Sequence, residues 1–417
     1  MNAPHPRVAV AAHPNAPRIP PASNGTRVRS PGHNRPIAGV VTDTLNRLAI
    51  LLQERLEQLA SAARDGAVIA AYTCIHAPVE LLEACGAVPV RLPFAADSDA
   101  QTQGATLLRP DACPLCCALV GARRRHDPVA SLATCLVSPT TCDAMRRAPQ
   151  VWPAEFGVPL FQFMSPRTWH GKASRAAYLQ ELIWLRDELE ALTSVRATSE
   201  RLAASMARWE RARASLRRIH SLRARLDLPV TGADLARLAA YAFVLDPDAF
   251  SAEVEALVAV LCQAAPTAVP AGRTVRLMLM GSPCLASDAW LLDTLEADGR
   301  ARIVADALCT CARWFHISPK AAGSPLDSLA DAYMHQPACA FSRPNDRLYR
   351  FIENQIAAAK PHGLVLRTLR FCDAWALEAE RMRRSFRLPM LYLDVDYSQS
   401  VRGQLATRTE AFLEVLA

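Results

Sequence analysis

Eight short apolar runs, none longer than ten residues, limit most strongly what this chain can fold into. They are "AVIAAYT" (67–73), "AVPVRL" (87–92), "TCLVSP" (134–139), "VPLFQF" (158–163), "TVRLMLMGSP" (274–283), "ARIVADAL" (301–308), "GLVLRTLRF" (363–371) and "PMLYLDVDY" (389–397). Runs of this length without polar alternation read as strands buried on both faces, and the helical or loop segments between them supply crossovers for parallel pairing. The runs fall into two sets of four. The expected fold class is therefore α/β, with two Rossmann-like domains built on short parallel four-stranded sheets plus a helical insertion.

The stretches between the runs suggest boundaries. Residues 1–36 hold eight prolines, no acidic residue and no period of 2 or 3.6, so residues 1–37 read as a disordered Pro/Arg-rich tail. Its arginines are shared with mitochondrial presequences, but its prolines oppose the amphipathic helix such a signal uses. From Thr42 an amphipathic helix runs to Gly66 and opens an N-terminal α/β domain over 38–170. Residues 171–265 contain no convincing strand and many Arg/Glu-rich helical stretches. They read as a helical insertion whose basic face is solvated. Past the link "QAAPTAVPAGR", a C-terminal α/β domain covers 266–417 and ends on the helix "GQLATRTEAFLEVL".

With 417 residues and 51% apolar content, the chain can fill more than one core. The net charge of +7 comes almost wholly from arginine, with Lys172, Lys320 and Lys360 as the lysines, and no aromatic-interleaved basic motif accompanies it. A nucleic-acid partner is not expected. No apolar run reaches the roughly 18 residues of a membrane span, and no secretion signal is recognisable, so a cytoplasmic location is expected.

Thirteen cysteines in a chain of this kind argue for metal binding or simple burial, because the cytosol keeps thiols reduced. Cys113 opens "CPLCCALVG" after the second run, Cys142 follows the third, Cys309 the sixth and Cys372 the seventh. All four fall at the carboxyl edges of the expected sheets, where open α/β sheets place ligands. Thiolates suit iron–sulfur clusters, zinc and Cu(I). A structural zinc site usually uses two paired knuckles, and here Cys113 with Cys116 is the one possible pair, so a cluster drawing one thiol per loop fits better. Cys85 and Cys262 read as small buried hydrophobes, and Cys116, Cys117 and Cys135 stay open. His76, in "TCIHAP" after the first run, is a candidate proton donor or acceptor. Glu80 reads most simply as a carboxylate in the first turn of a helix, and is kept as a candidate catalytic group.

Several segments, in order, resemble the 2-hydroxyacyl-CoA dehydratase and benzoyl-CoA reductase family, specifically its D-component-like subunits. They are "APVELLEACGAVPVRL" (77–92), "CPLCCALVG" (113–121), "PTTCDAMRR" (139–147), "GSPCLASDAWLLDTLEADG" (281–299), "ADALCTCARWF" (305–315), "RFCDAW" (370–375) and "DYSQSVRGQLATRTEAFLEVL" (396–416). The resemblance implies a [4Fe-4S] cluster held between two α/β domains by three cysteines, with one iron open to a small ligand or thioester carbonyl. By motif these are Cys113, Cys142 and Cys372. It also implies one-electron ketyl-radical chemistry on acyl-CoA thioesters, a related second subunit or a homodimer, and a separate ATP-hydrolysing iron–sulfur activator. The absence of a G-x-x-x-x-G-K-[ST] loop agrees with ATP being handled elsewhere.

Two positions depart from the family pattern: Cys117 replaces a usual basic residue, and "CTC" introduces Cys311. Cys309 and Cys339 resemble ligands of a sister branch, which reduces small molecules at an [8Fe-9S] double-cubane cluster. That cofactor, and a non-catalytic electron-relay or cluster-binding role, are the alternatives. Gln404 and Arg408, within the last segment, read as part of a packed terminal helix.

Overall fold

A computed structural model describes residues 39–265, 274–320, 323–336, 339–398 and 402–417. The expected tail over 1–37 lies outside these residues. The first sheet contains β1 (Ile69–Tyr72), β2 (Val88–Arg91), β3 (Cys135–Pro139) and β4 (Leu160–Phe163), in the order β2-β1-β3-β4. The second contains β5 (Val275–Gly281), β6 (Ala301–Ala307), β7 (Gly363–Leu369) and β8 (Met390–Val395), in the order β6-β5-β7-β8. Every strand pair is parallel, and every strand lies inside one of the eight apolar runs. The class is α/β with two Rossmann-like domains. β1, β3 and β7 are buried along their whole length, which is why their runs lack polar alternation. Pro89 sits in β2, an edge strand, where its missing N–H costs no ladder bond on the outer side.

The identical strand order has a consequence for function. In each sheet the chain moves outward from the first strand to one side, then crosses back and moves outward on the other. The switch points therefore lie between β1 and β3 and between β5 and β7, where crevices open at the carboxyl ends. Cys74 and Cys142 follow β1 and β3; Cys284 and Cys372 follow β5 and β7.

Between the sheets, residues 171–265 form the helices Lys172–Thr193, Ser199–Arg223, Gly232–Ala242 and Pro247–Gln263. The helix Ser199–Arg223 is not simply a solvated basic rod, as its composition suggests. It lies against both halves of the molecule, so its arginines meet acids on several sides. Arg213 reaches Glu80 in the helix Val79–Ala84 at 2.5 Å, and Arg223 reaches Asp306 in β6 at 3.0 Å. Arg208 gathers Glu83, Asp246 and Asp248 near the surface. Trp209 on the same helix meets Trp314 edge-on at 6.4 Å, both fully buried. Burying side chains of this size stabilises by roughly 3 kcal/mol each. Among the described residues, no helix is long and apolar enough to cross a membrane.

Candidate metal centre

The three thiols singled out in the sequence share a local device. Cys113 is the N-cap residue of the helix Pro114–Arg124, Cys142 that of Asp143–Arg147 and Cys372 that of Asp373–Ser385. All three residues thus stand at helix N-termini, where free N–H groups and the helix dipole favour negative charge, and of the three it is the Cys142 sulfur that caps its helix. Cys142 Sγ accepts a hydrogen bond from the Met145 N–H at 3.4 Å. The proline after Cys113 suits a first helical position, since its missing N–H would have no partner there. Close packing fixes this helix: a Cβ on Gly121 would overlap the Ala100 carbonyl, and one on Gly104 the Cys117 carbonyl. Beside Cys372, Phe371 holds φ at 59° and is 55% exposed, a left-handed conformation that bulky side chains seldom adopt.

The loops bring the thiols together across the two sheets. Cys113 lies within hydrogen-bonding reach of Cys116 and of Cys372 from the other domain, and Cys372 also reaches Ser282. Cys142 feels Cys372 and Cys339 electrostatically, and Cys116 feels both Cys142 and Cys372. This crowding disfavours anionic sulfur. The Cys116 thiol and burial push Cys113 well up, Cys113 and burial do the same to Cys372, and burial pushes Cys142 up to about 11. A cationic metal core is what would offset thiolates held so close. Among the described residues, no three His, Cys, Asp or Glu side chains close on the spacing of a single metal ion. Buried thiols from separate loops are the soft donors that an iron–sulfur cluster takes, one to each iron, so it is the donor type that suits a polynuclear group. The donor set fits such a group.

A second set of thiols adjoins the first. Burial and the neighbouring Cys309 and Cys339 push Cys74 up to about 12. Arg91, the last residue of β2, donates to the Cys309 carbonyl at 3.1 Å and lies 3.7 Å from its Sγ. Arg313 is in hydrogen-bonding reach of Cys339 and donates to the Ala307 carbonyl at 2.8 Å. Cys284 and Cys311 are buried behind Cys309. Cys135 lies inside β3, and burial alone pushes it up to about 12. Cys117 points to the Ala112 carbonyl at 3.7 Å. Cys85 is buried, in keeping with its reading as a core residue, but Cys262 is exposed rather than buried. It lies on the outer side of the helix Pro247–Gln263, where Arg218 reaches its sulfur at 3.4 Å.

His76 is buried after β1, with Nδ1 3.3 Å from Ser165 Oγ and its ring edge-on to Phe341 at 5.0 Å. Among the described residues, Nε2 has no hydrogen-bond partner. Burial, and to a lesser degree Arg313, push its pKa down to about 3, so the ring is neutral near pH 7. Both oxygens of Glu80 are engaged, one by Arg213 and one by the Tyr333 hydroxyl at 2.7 Å. A cavity of about 580 Å³ opens beside Cys142, lined in part by Thr140, Thr141, Ser165, Tyr178 and Glu181. Gln404 and Arg408 are exposed on the terminal helix Arg402–Leu416, which packs through Leu405, Phe412, Leu413 and Leu416. Arg91, Arg313 and Tyr178 escaped the sequence reading. The first two sit in apolar or cysteine-rich strings, and nothing local marks an arginine there as buried.

The family model described as "2-hydroxyglutaryl-CoA dehydratase, D-component" matches residues 74–416. The chain is 26% identical over 349 residues to YjiM of Escherichia coli (strain K12), a provisionally named dehydratase subunit; the match covers 82% of this chain and 90% of that one. It is 23% identical over 344 residues to one of the benzoyl-CoA reductase subunits of Thauera aromatica, covering 81% and 87%. A shorter match, 24% over 135 residues, links it to the (R)-phenyllactyl-CoA dehydratase beta subunit of Clostridium sporogenes, covering 32% and 36%. With a family model matched over residues 74–416 and eight parallel strands in the expected places, the chain belongs to the 2-hydroxyglutaryl-CoA dehydratase D-component family.

Proposed function

We propose that this chain is the iron–sulfur subunit of a 2-hydroxyacyl-CoA dehydratase or a benzoyl-CoA reductase-type enzyme, with a [4Fe-4S] cluster held by Cys113, Cys142 and Cys372. The observation that carries this reading is that Cys113 and Cys372, from loops of the two halves, come within hydrogen-bonding reach, while Cys142 and Cys372 follow the strands at the two switch points. When bound, such a cluster with one open position supplies a low-potential electron and a Lewis acid for a thioester carbonyl. The remaining work falls to the chain. The three helix N-termini lower the cost of negative charge at the sulfurs. The cavity beside Cys142 is sized for the acyl end of a thioester, with the Thr140, Thr141 and Ser165 hydroxyls positioned to orient it. His76 is not part of that lining and acts on it through Ser165, whose hydroxyl its Nδ1 holds at 3.3 Å. A ring with a pKa of about 3 orients rather than shuttles protons near neutrality.

All three relatives are named as subunits, which supports a partner here: a related second subunit, or a second copy. A separate ATP-hydrolysing activator would supply the electron. Iron and acid-labile sulfide per chain after anaerobic purification test the reading, with electron paramagnetic resonance of the reduced protein before and after adding an acyl-CoA. About four irons and a spectrum altered by the thioester are expected. No iron after reconstitution would sink it, and a cluster indifferent to acyl-CoA would favour the non-catalytic relay.

The adjoining thiols Cys74, Cys309 and Cys339 favour a second reading, an [8Fe-9S] double-cubane cluster that reduces small molecules. About eight irons per chain would select it.

A further inference from the structure

Arg91 and Arg313 are 5% and 1% exposed, and both reach into the Cys74, Cys309 and Cys339 group. Arg91 comes from β2 of the first sheet, whereas Cys309 follows β6 of the second, so this contact crosses between the two halves of the molecule. Its guanidinium is fixed from three sides: the Cys309 carbonyl at 3.1 Å, the Cys309 sulfur at 3.7 Å and the Phe243 ring at 4.4 Å from the centroid. Arg313 is held by the Ala307 carbonyl at 2.8 Å, the Gly281 carbonyl at 3.4 Å and the Trp375 ring at 5.0 Å. Keeping a guanidinium out of water costs several kcal/mol unless an anion lies close. Anionic sulfur is the complement these two cations are placed to meet. The other set, Cys113, Cys142 and Cys372, stands at helix N-termini, with the Cys142 sulfur accepting from the Met145 N–H.

We propose that Arg91 and Arg313 are positioning residues that hold negative charge on the Cys74, Cys309 and Cys339 sulfurs, and so make an iron–sulfur group bound there easier to reduce than one bound at Cys113, Cys142 and Cys372. This rests on the second reading above, in which both thiol sets carry iron. Reduction adds one electron to a buried site. A fixed cation beside the sulfurs stabilises the more negative state and raises the reduction potential, and removing it lowers that potential.

The test uses the full chain, anaerobically reconstituted with iron and sulfide and titrated with dithionite under potential control while the resonance signals of the reduced clusters are followed. For Arg91→Gln the expected result is unchanged iron content, with one of two reduction steps moved to lower potential by at least a tenfold change in equilibrium, or 59 mV for a one-electron couple. Arg91→Lys keeps the charge without the planar fork, and shifts the same step less. Should Arg91→Gln fail to fold, Arg313→Gln is read in the same way. Both steps unmoved at full iron content would overturn the proposal. A wild-type content of about four irons, lost in Cys142→Ala and kept in Cys309→Ala, would remove the second set and the arginine role with it, leaving the three-cysteine reading intact.

Discussion

Glu80 and Arg213 face each other at 2.5 Å with neither side chain exposed to solvent, and the Tyr333 hydroxyl closes the triad at 2.7 Å from Glu80 and 2.9 Å from Arg213. The three come from separate helices, so the network joins the first domain, the long helix Ser199–Arg223 and the helix Pro325–His335. Removing one partner leaves a buried charge unmatched, which costs about 3–5 kcal/mol. Arg213→Met should therefore lower the unfolding free energy in urea by that amount, and Glu80→Leu with Arg213→Met should recover most of it. Activity lost in Glu80→Gln at unchanged stability would instead place Glu80 in the chemistry.

The helix that carries Cys113 depends on two glycines with no room for a side chain. Gly121 faces the Ala100 carbonyl and Gly104 the Cys117 carbonyl, and backbone on both sides cannot yield as a side-chain end would. Gly121→Ala should destabilise by about 3 kcal/mol or more in urea unfolding. Gly403→Ala, where a Cβ meets nothing within 4 Å, should stay within about 0.5 kcal/mol of the parent.

Much of this architecture was legible because burial on both faces writes parallel strands as continuous apolar runs, and the eight strands fall within the eight runs. Cys142 and Cys372 were legible because each stands directly after a strand. What sequence could not show was which elements face one another. The pairing of Glu80 with Arg213 spans 133 positions, and that of Arg91 with Cys309 spans 218. No local periodicity reports contacts of that range. Cys262 misled for the opposite reason: its helix is apolar enough to look buried throughout, yet its Cys262 side faces solvent.

Of the thirteen cysteines, the proposed ligands should separate from the others by iron content alone. Cys142→Ala or Cys372→Ala should abolish the cluster, since either leaves two thiols of the set of three. Cys262→Ala alters an exposed sulfur on an outer helix and should keep the full complement. Equal iron in all three variants would refute the ligand assignment.

Acid sensitivity should trace in part to His220. This imidazole is buried against Phe315, its Nε2 lies 3.8 Å from Asp306, and Asp306 is already taken by Arg223 at 3.0 Å. Burial, with Arg223 adding to it, pushes the His220 pKa down to about 3, so near neutrality the 3.8 Å approach is not an ion pair. The unfolded chain titrates near 6.5 and binds a proton the folded chain refuses. Between pH 6.5 and about 3 the unfolded state therefore holds more protons, and stability falls as pH falls through that window. At pH 5 the loss from this one group is about 2 kcal/mol relative to pH 7. Burial works against the charge on Asp306, but Arg223 and its other partners hold its pKa below the usual carboxylate value, so its contribution is lost only in stronger acid. The two effects are therefore separable by pH. Urea unfolding at pH 7 and pH 5 should show His220→Leu losing about 2 kcal/mol less than the parent across that interval. An equal loss in both proteins would mean that His220 takes up its proton without unfolding.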